Sequence, residues 1–273
     1  MIIRKKSHTS KGSLSFMSVY IYTLPKAGTY FFAKLLSNLG LNDTGYHLSR
    51  FSYLDTKAHS LEQNTATPGV AKIRKFFVPV VRKMQGNDVF FGHFAVPRNL
   101  HVAPVHMKYI CSYRNPEKTL VSEFIDFRFR RTDVNWISRE NVADDSEAFE
   151  TFLEHHGLGP HLSILKNIVV YHSTVNHPLV DPEERARVYF ANFETVLKEP
   201  DMVRQIAEFL GISLQEGEAE TILQKTLLAE TKTKAVDLEI DRDLLWTDRA
   251  REIYAASDFP RVVTMAQEQG LRF

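Results

Sequence analysis

The sequence lacks the features that mark disulfide-rich, membrane-spanning and nucleic-acid-binding proteins. It has one cysteine in 273 residues, which excludes an intrachain disulfide framework and favours a reducing compartment. No stretch approaches the roughly 18 uninterrupted apolar residues of a membrane span. Its 34 basic and 33 acidic residues leave a formal net charge of +1, so no overall field attracts nucleic acid or an anionic membrane. We therefore expect a cytoplasmic protein without nucleic-acid or membrane partners, in which any anion site is local.

The chain also lacks internal repeats, low-complexity tracts and Gly/Ser-rich linkers. Its hydrophobic content of 44% and charged content of 25% are those of an ordinary globular protein. We predict one domain over residues 1–273, with residues 1–17 as a flexible tail that enters the first strand.

Short apolar runs alternate with amphipathic segments along the chain. The runs predict four buried strands, at Val19–Leu24, Val89–Phe94, Lys108–Tyr113 and Arg187–Phe193. Helical spacing of apolar residues begins at Thr29 and again at Pro116, and it recurs towards the C-terminus. This alternation predicts an α/β fold with a central parallel sheet flanked by helices. Ligands of such sheets bind beyond the carboxyl ends of the strands, where Lys26, His93 and Arg114 fall.

The first strand and the first helix meet at the sequence PKAGT, residues 25–29. A helix N-terminus presents unpaired N–H groups and about half a positive charge, which suits a phosphate group. Gly28 lets backbone amides approach an anion, Lys26 adds a full charge, and Thr29 offers a hydroxyl or caps the helix. The Walker pattern GxxxxGK[ST] is absent. The segment therefore predicts an anion-binding loop, and an ordinary turn with an exposed lysine is the alternative.

Two further residues at predicted strand ends have side chains suited to binding or catalysis. Arg114 ends the third strand, and Ser122 lies eight residues later, about two turns into the next helix. A guanidinium binds oxyanions bidentately, although a capping or surface arginine is the common alternative. His93 ends the second strand. Histidine suits the removal of a proton from a hydroxyl near neutral pH, although a hydrogen-bonded structural histidine is the usual occupant of such a position.

Taken in order, these segments resemble the sulfotransferase family that uses 3′-phosphoadenosine 5′-phosphosulfate (PAPS). The sequence TLPKAGTYF, Thr23–Phe31, matches the family's 5′-phosphosulfate loop, and Arg114 with Ser122 matches its 3′-phosphate element. His93 falls on the family's histidine, and Phe193–Ile212 is similar to a third element. The resemblance spans residues 19–212 and implies the P-loop-NTPase-like sulfotransferase fold.

The resemblance implies a set of site residues, with PAPS as sulfuryl donor, PAP as product and no metal. Lys26 and His93 are the catalytic candidates: the lysine would neutralise charge on the bridging oxygen and the histidine would accept the acceptor's proton. The cofactor-binding candidates are Lys26, Ala27, Gly28, Thr29, Tyr30, Phe31, Arg114, Ser122, Phe193, Lys232 and Lys234. Phe193 stands where many members have an adenine-contacting tyrosine. The region of the family's late Arg-Lys-Gly triplet has only Lys232 and Lys234, so the third ligand of the 3′-phosphate is not determined. The residues that contact adenine are likewise not determined.

The resemblance further implies transfer to a hydroxyl or an amine of a small-molecule acceptor. We expect Gly45–Gln63 and Phe127–Glu150 to line or cover the acceptor pocket, with aromatic walls from Tyr22, Phe31, Phe94, Phe124 and Trp136. Acidic residues in the second segment would hold a cationic acceptor or form a solvated face: Asp133, Glu140, Asp144, Asp145 and Glu147. The sequence does not determine the acceptor or the oligomeric state.

Three other functions are weighed against sulfuryl transfer. A P-loop-type kinase acting on a small molecule needs a Walker lysine and a magnesium ligand, and the sequence supplies neither. A non-catalytic PAP-binding protein would retain the nucleotide site, but simple binding needs no base at His93. A self-associating structural role has no positive support in the sequence.

Overall fold

The computed structural model describes residues 18–48, 53–57, 72–73, 84, 86–93, 107–131, 134–229 and 240–273. The predicted tail, residues 1–17, lies outside these ranges. The described strands form one sheet and are β1 Ser18–Thr23, β2 Asn42–Leu48, β3 Tyr53–Asp55, β4 Lys72–Ile73, β5 Asp88–Gly92, β6 Met107–Tyr113 and β7 Val188–Asn192. All four predicted strands are present, with ends displaced by one or two residues.

The strand order is β4-β3-β2-β5-β1-β6-β7. Strands β2, β5, β1, β6 and β7 run parallel, whereas β3 and β4 pair antiparallel at one edge. The predicted parallel sheet flanked by helices is therefore confirmed. Tyr22 of β1 lies opposite Gly92 of β5 and Cys111 of β6. Because three adjacent parallel strands end at this level, the residues that follow them meet at one edge.

Helices cover the sheet and follow its strands. They are α1 Thr29–Asn38, α2 Pro116–Phe129, α3 Asp145–Phe152, α4 Leu158–Val175, α5 Pro182–Arg185, α6 Phe193–Val196, α7 Pro200–Phe209, α8 Glu218–Leu228, α9 Asp248–Ala256 and α10 Phe259–Glu268. A π-helical turn, Leu153–Gly157, joins α3 to α4. Asn115 caps α2 by accepting from the Lys118 N–H at 3.3 Å, with Pro116 in the first turn as predicted. Within the described ranges, no helix has the length and apolar character needed to cross a membrane.

The core lies on both faces of the sheet because successive side chains of a strand point to opposite faces. On one face, Tyr20 and Tyr22 of β1 pack in a cluster with Tyr109 and Cys111 of β6. On the other face, the intervening Ile21 packs with α1 and α7. Burial on both faces explains why these strands read as continuous apolar runs rather than as an alternating pattern.

The segment Gly45–Gln63, predicted to line or cover the pocket, begins with residues of a strand that the sequence analysis missed. Residues 45–48 belong to β2, which pairs with β5, and Leu48 is buried. The strand is hard to recognise because its sequence, NDTGYHL, is polar and because its register with β5 shifts between Asp43 and His47.

The segment Phe127–Glu150, predicted to line or cover the pocket, also contributes residues to the core. Ile137 and Phe149 are fully buried. Arg128 is buried as well, and its guanidinium donates to Asp145 Oδ1 at 2.7 Å and to the Val142 carbonyl at 3.0 Å. A buried arginine needs such partners, so the nearby carboxylate that we considered as an acceptor ligand has a structural role.

Candidate functional site

The loop between β1 and α1 has a backbone shape suited to an anion. Lys26 and Gly28 both adopt left-handed conformations, with φ of 63° and 84°. Ser112 at the end of β6 fastens the loop, since its Oγ donates to the Ala27 carbonyl at 2.7 Å and its carbonyl accepts from the Leu24 N–H at 3.0 Å. The first N–H groups of α1, from Thr29, Tyr30 and Phe31, have no partner within the helix. They and the fastened loop form a cradle at the centre of the sheet.

Gly28 is required by its conformation and by the ring that lies against it. A Cβ at this position would lie 2.2 Å from Cε2 of Phe193, well inside van der Waals contact. The Phe193 ring also contacts Phe31, with centroids 5.6 Å apart. Phe193 therefore packs directly on the cradle, and its role in binding the cofactor stays a prediction.

We expect Gly28→Ala to lower the free energy of unfolding by about 3 kcal/mol, since a left-handed alanine costs about 1 kcal/mol and the clash adds to it. The matched control is Gly40→Ala. Gly40 also has a left-handed φ, of 94°, but a Cβ added there would meet no atom of the described residues within 4 Å. Urea denaturation of both variants measures the difference. Equal losses for the two alanines would contradict the steric role of Phe193.

Lys26 is largely buried beside charged residues of α2. Its Nζ lies 3.5 Å from Oδ2 of Asp126, and its side chain is 13% exposed. Burial lowers the pKa of Lys26 from its usual value to about 8, the negative charge of Glu123 raises it, and Arg130 and Arg114 lower it. Asp126 is also ion-paired with Arg130, so its charge is shared. The ammonium is therefore charged at neutral pH, but it loses its proton more easily than an exposed lysine does.

His93 follows β5 and is held in one tautomer by the end of β1. Its Nδ1 lies 2.9 Å from the Thr23 carbonyl oxygen and 3.1 Å from Thr23 Oγ1. Since a carbonyl only accepts, Nδ1 carries the proton and Nε2 keeps the lone pair. Burial lowers the pKa of His93 below its usual value, while the Thr23 hydrogen bond and Glu123 oppose the shift. The arrangement suits a general base.

Threonine hydroxyls connect His93 to the anion cradle. Thr29 Oγ1 lies 2.7 Å from Thr23 Oγ1, which in turn contacts His93 Nδ1. Thr29 and Thr23 are both buried, so these contacts are shielded from water. The predicted base and the predicted anion loop thus belong to one site.

A second histidine, His47 of β2, lies beside the first. Its ring centroid is 5.0 Å from that of His93, and its Nδ1 is 3.3 Å from the hydroxyl of Tyr30. Burial, together with the neighbouring His93, lowers the pKa of His47 to about 3. His47 therefore stays neutral, and it was missed because its strand was missed.

Arg114 follows β6 and reaches back to the cradle. Its Nη1 donates to the Lys26 carbonyl at 3.2 Å, and its guanidinium lies 5.6 Å from the centre of the Phe193 ring. Its Nε is 3.7 Å from Glu194 Oε1, which also accepts from Lys118 Nζ at 2.7 Å. Two cations therefore share one carboxylate. Burial lowers the pKa of Arg114, Glu194 raises it, and the positive charge of Arg242 lowers it, so Arg242 is a further cation near this point.

The structure brings together most of the predicted site residues. Lys26, Gly28, Thr29, His93, Arg114 and Phe193 meet at the carboxyl edge of β5, β1 and β6. Ala27 and Phe31 are buried and can offer a ligand only their backbone groups. Ser122 lies half-buried on α2, and its contact with a phosphate stays a prediction. Lys232 and Lys234 lie outside the described residues.

Two of the predicted aromatic walls of the acceptor pocket are core residues instead. Tyr22 and Phe124 are core residues, 1% and 0% exposed, so they cannot form pocket walls, and Phe94 lies outside the described residues. Asp144 caps α3 by accepting from the N–H groups of Ser146 and Glu147. The carboxylates that contact the cations of the site, Asp126 and Glu194, were missed. The i, i+4 spacing of Asp126 and Arg130 was the available signal for the first of them.

Among the described residues, no group of three or more His, Cys, Asp and Glu side chains is arranged to hold a metal ion. The positive charge at the site comes from Lys26, Arg114 and the N-terminus of α1.

Comparison with known proteins identifies a sequence family and a shared fold. A family model described as Sulfotransferase domain matches residues 17–253. Retinol dehydratase in complex with androsterone and inactive cofactor PAP is 14% identical with a TM-score of 0.51, covering 94% of this chain and 80% of that chain. Mouse sulfotransferase SULT7A1 complexed with PAP is 18% identical with a TM-score of 0.48, covering 93% and 83%. No curated protein sequence is significantly similar to the chain.

Proposed function

Because the chain belongs to the sulfotransferase family, we propose that it moves a sulfuryl group from PAPS to a hydroxyl or an amine of a small-molecule acceptor and releases PAP. The observation that carries the proposal is the chain of contacts from Thr29 through Thr23 to His93. It joins the loop of Lys26 and Thr29 to a histidine whose Nε2 keeps its lone pair. A single free cysteine fits a reducing compartment, so we place the reaction in the cytoplasm.

The two halves of the donor site are assigned by charge. The cradle residues Gly28, Thr29 and Tyr30 would bind the 5′-phosphate through backbone N–H groups, with Lys26 beside the bridging oxygen. Arg114 and Ser122 would bind the 3′-phosphate, and Arg242 adds a cation to that end. Phe193 packs on Gly28 and lies next to Arg114, and it would contact the nucleotide between the two phosphates.

The reaction is an in-line displacement at sulfur, in which positioning and electrostatics dominate, as in phosphoryl transfer. The acceptor oxygen or nitrogen forms a bond to sulfur while its proton passes to Nε2 of His93. The bond between sulfur and the bridging oxygen breaks, and its electron pair stays on the 5′-phosphate of PAP. Lys26 stabilises this charge as it develops. Because the ammonium, the guanidinium and the backbone dipoles supply positive charge, the residues present fit a reaction that needs no divalent ion.

A thermal-shift comparison of PAP, ADP and ATP tests the donor site. A ligand at 100 times its Kd stabilises a protein by about 2.7 kcal/mol, which raises the Tm of a chain of this size by about 5 °C or more. We expect PAP to raise the Tm by that amount and ADP by clearly less, because only PAP carries a 3′-phosphate. In the control variant Arg114→Met, the advantage of PAP over ADP should largely disappear.

Radiolabelled PAPS with a panel of phenols, aliphatic alcohols and amines tests transfer itself. We expect a sulfated product, formed equally well in the presence of EDTA. Transfer from ATP that is lost in EDTA would favour the kinase instead. Stabilisation by PAP without product from any acceptor would favour the non-catalytic binding protein.

A further inference from the structure

His47 of β2 and His93 after β5 lie beside one another at the carboxyl edge of the sheet. His47 pairs in register with Phe91 of β5, two residues before His93. Its ring centroid lies 5.5 Å from that of Phe91 and 5.0 Å from that of His93, and the two imidazole planes are 74° apart. Both histidines are half-buried. Two imidazoles from adjacent strands therefore border one space next to the cradle.

Tyr30 of α1 holds the His47 ring through its hydroxyl, which lies 3.3 Å from His47 Nδ1. Among the described residues, Nδ1 is the one hydrogen-bond partner of this hydroxyl. The lone pair of an imidazole is more basic than a phenol oxygen, so the hydroxyl donates and Nδ1 accepts. A neutral imidazole that accepts at Nδ1 carries its proton on Nε2. His47 therefore has a donor at Nε2.

The two histidines thus have opposite tautomers. The Thr23 carbonyl accepts from Nδ1 of His93 at 2.9 Å, which leaves a lone pair on Nε2 of that ring. The Tyr30 hydroxyl leaves a proton on Nε2 of His47. Within the described ranges, neither Nε2 atom has a hydrogen-bond partner. The pair therefore offers a bound molecule one acceptor and one donor, from rings whose centroids are 5.0 Å apart.

We infer that His47 and His93 form a two-histidine clamp for an acceptor that carries a second oxygen close to its reacting hydroxyl. Nε2 of His93 takes the proton of the reacting hydroxyl, and Nε2–H of His47 donates a hydrogen bond to the second oxygen and keeps its proton. Hydrogen bonds of about 2.8 Å from rings this close suit oxygens that lie near each other, such as those on adjacent carbons. The inference rests on the proposed function and names its acceptor class, which comprises hydroxyl compounds with a neighbouring ether, hydroxyl or carbonyl oxygen.

The charge state of His47 fits a neutral oxygen rather than an anionic group. Burial and the neighbouring His93 lower the pKa of His47 to about 3, so its ring is uncharged at neutral pH. A site built to hydrogen-bond a substrate oxygen rejects an analogue that lacks it, because the donor is then left unpaired. His47 would therefore select acceptors by their second oxygen, while His93 acts on the first.

The first test identifies the two tautomers and needs no acceptor. Long-range proton–nitrogen NMR correlation in the PAP-bound protein distinguishes a protonated Nδ1 from a protonated Nε2, and the rings are assigned by their absence from His47→Gln and His93→Gln. We expect the proton on Nε2 of His47 and on Nδ1 of His93. In Tyr30→Phe, His47 loses its fixed donor and should become a mixture of both tautomers. Tyr189→Phe is the matched control, because its hydroxyl donates to Gln205 at 3.1 Å on β7, which β1 and β6 separate from β5.

The second test compares kcat/KM for matched acceptors in which one ether oxygen is exchanged for a methylene group. The pairs are ortho-methoxyphenol with ortho-ethylphenol, and methoxyethanol with n-butanol. One neutral hydrogen bond corresponds to a preference of about fivefold to tenfold for the ether member of a pair. His47→Phe keeps an aromatic ring against Phe91 and His93 but has no donor, so the ratio should fall to about one. His47→Gln keeps an amide donor and should retain part of the preference. A merely structural loss would lower kcat/KM for both members equally and leave the ratio as it was.

The outcomes separate this inference from the proposed function. A wild-type His47 with its proton on Nδ1 overturns the inference, because the donor at Nε2 would then be absent. Sulfated product without a preference for the ether members, or a preference that survives His47→Phe, overturns it as well. If His47→Phe does not fold, the ratio in Tyr30→Phe decides, since a ratio equal to that of the wild type means that the fixed donor has no part in selection. No product from any acceptor overturns the proposed function and the clamp with it, whereas product without preference overturns the clamp alone.

Discussion

Replacing His93 with glutamine should lower kcat by about 10² to 10⁴-fold, the usual contribution of a positioned general base. Glutamine fills a similar volume, and its amide can still donate to the Thr23 carbonyl. It cannot take up a proton at the position of Nε2, so the acceptor must lose its proton to water. Because, among the described residues, the hydrogen bonds of His93 towards the cradle run through Thr23, PAP affinity should change by no more than about threefold, which is small on the scale of a lost hydrogen bond. Initial rates with radiolabelled PAPS and calorimetry with PAP measure the two effects.

The neighbouring His47 provides the control for this prediction. Its ring lies 5.0 Å from that of His93, but its pKa of about 3 means that it stays a neutral imidazole and takes up no second proton during turnover. We expect His47→Gln to lower kcat by less than about tenfold, as a loss of packing and orientation rather than of a proton acceptor. A His93→Gln enzyme that works at the wild-type rate would show that another group removes the proton.

Replacing Lys26 with methionine should impair both binding and chemistry. Removal of one group that stabilises developing charge costs about 10² to 10³ in kcat, and the ammonium also binds the ground-state phosphosulfate, so PAP affinity should fall as well. Methionine keeps most of the stem and faces the same left-handed backbone cost as lysine, which isolates the effect of the charge. Lys118→Met is the control, since Lys118 is a 58% exposed cation on α2 that contacts Glu194 rather than the cradle.

The pKa of Lys26 gives the same prediction a pH dependence with a definite sign. In the free protein the pKa is lowered to about 8, so the ammonium loses its proton as the pH rises through that value. PAP affinity should therefore be highest below about pH 8 and should fall above it. Bound PAP adds negative charge and raises the pKa, so binding near pH 8 should take up protons. The Lys26→Met variant should lack this dependence, and a wild-type affinity that stays constant from neutral to alkaline pH would contradict the assignment of the charge.

The central part of the fold could be predicted because its strands, turns and helix starts are each determined by neighbouring residues. Strands β1, β5 and β6 are apolar on both faces, and each is followed within a few residues by a proline, a glycine or a helix start. The PKAGT segment combines a strand end, a left-handed glycine and a helix N-terminus, so its chemistry follows from adjacent residues. Parallel strands then bring distant segments to one edge, which is why His93 was expected near the PKAGT loop, to which Thr23 connects it.

The rest depended on tertiary contacts that no short segment encodes. Strand β2 is polar and bulged, and it is ordered by pairing with β5 rather than by its own pattern. The contact of Asp126 with Lys26 depends on the rotation of α2 about its axis, which is set by the burial of Leu120 and Phe124. Likewise, the partner of Arg128 could be recognised only after the arginine itself was found in the core.

The single cysteine gives the protein an internal reporter of sheet opening. Cys111 is fully buried in β6, between β1 and β7, and burial raises the pKa of its thiol well above the usual range. A thiol-specific reagent reaches this sulfur only when the middle of the sheet separates. The labelling rate of the native chain therefore measures how often the sheet opens there. A ligand bound to the loop that Ser112 holds against β6 should lower this rate, and no engineered probe is needed.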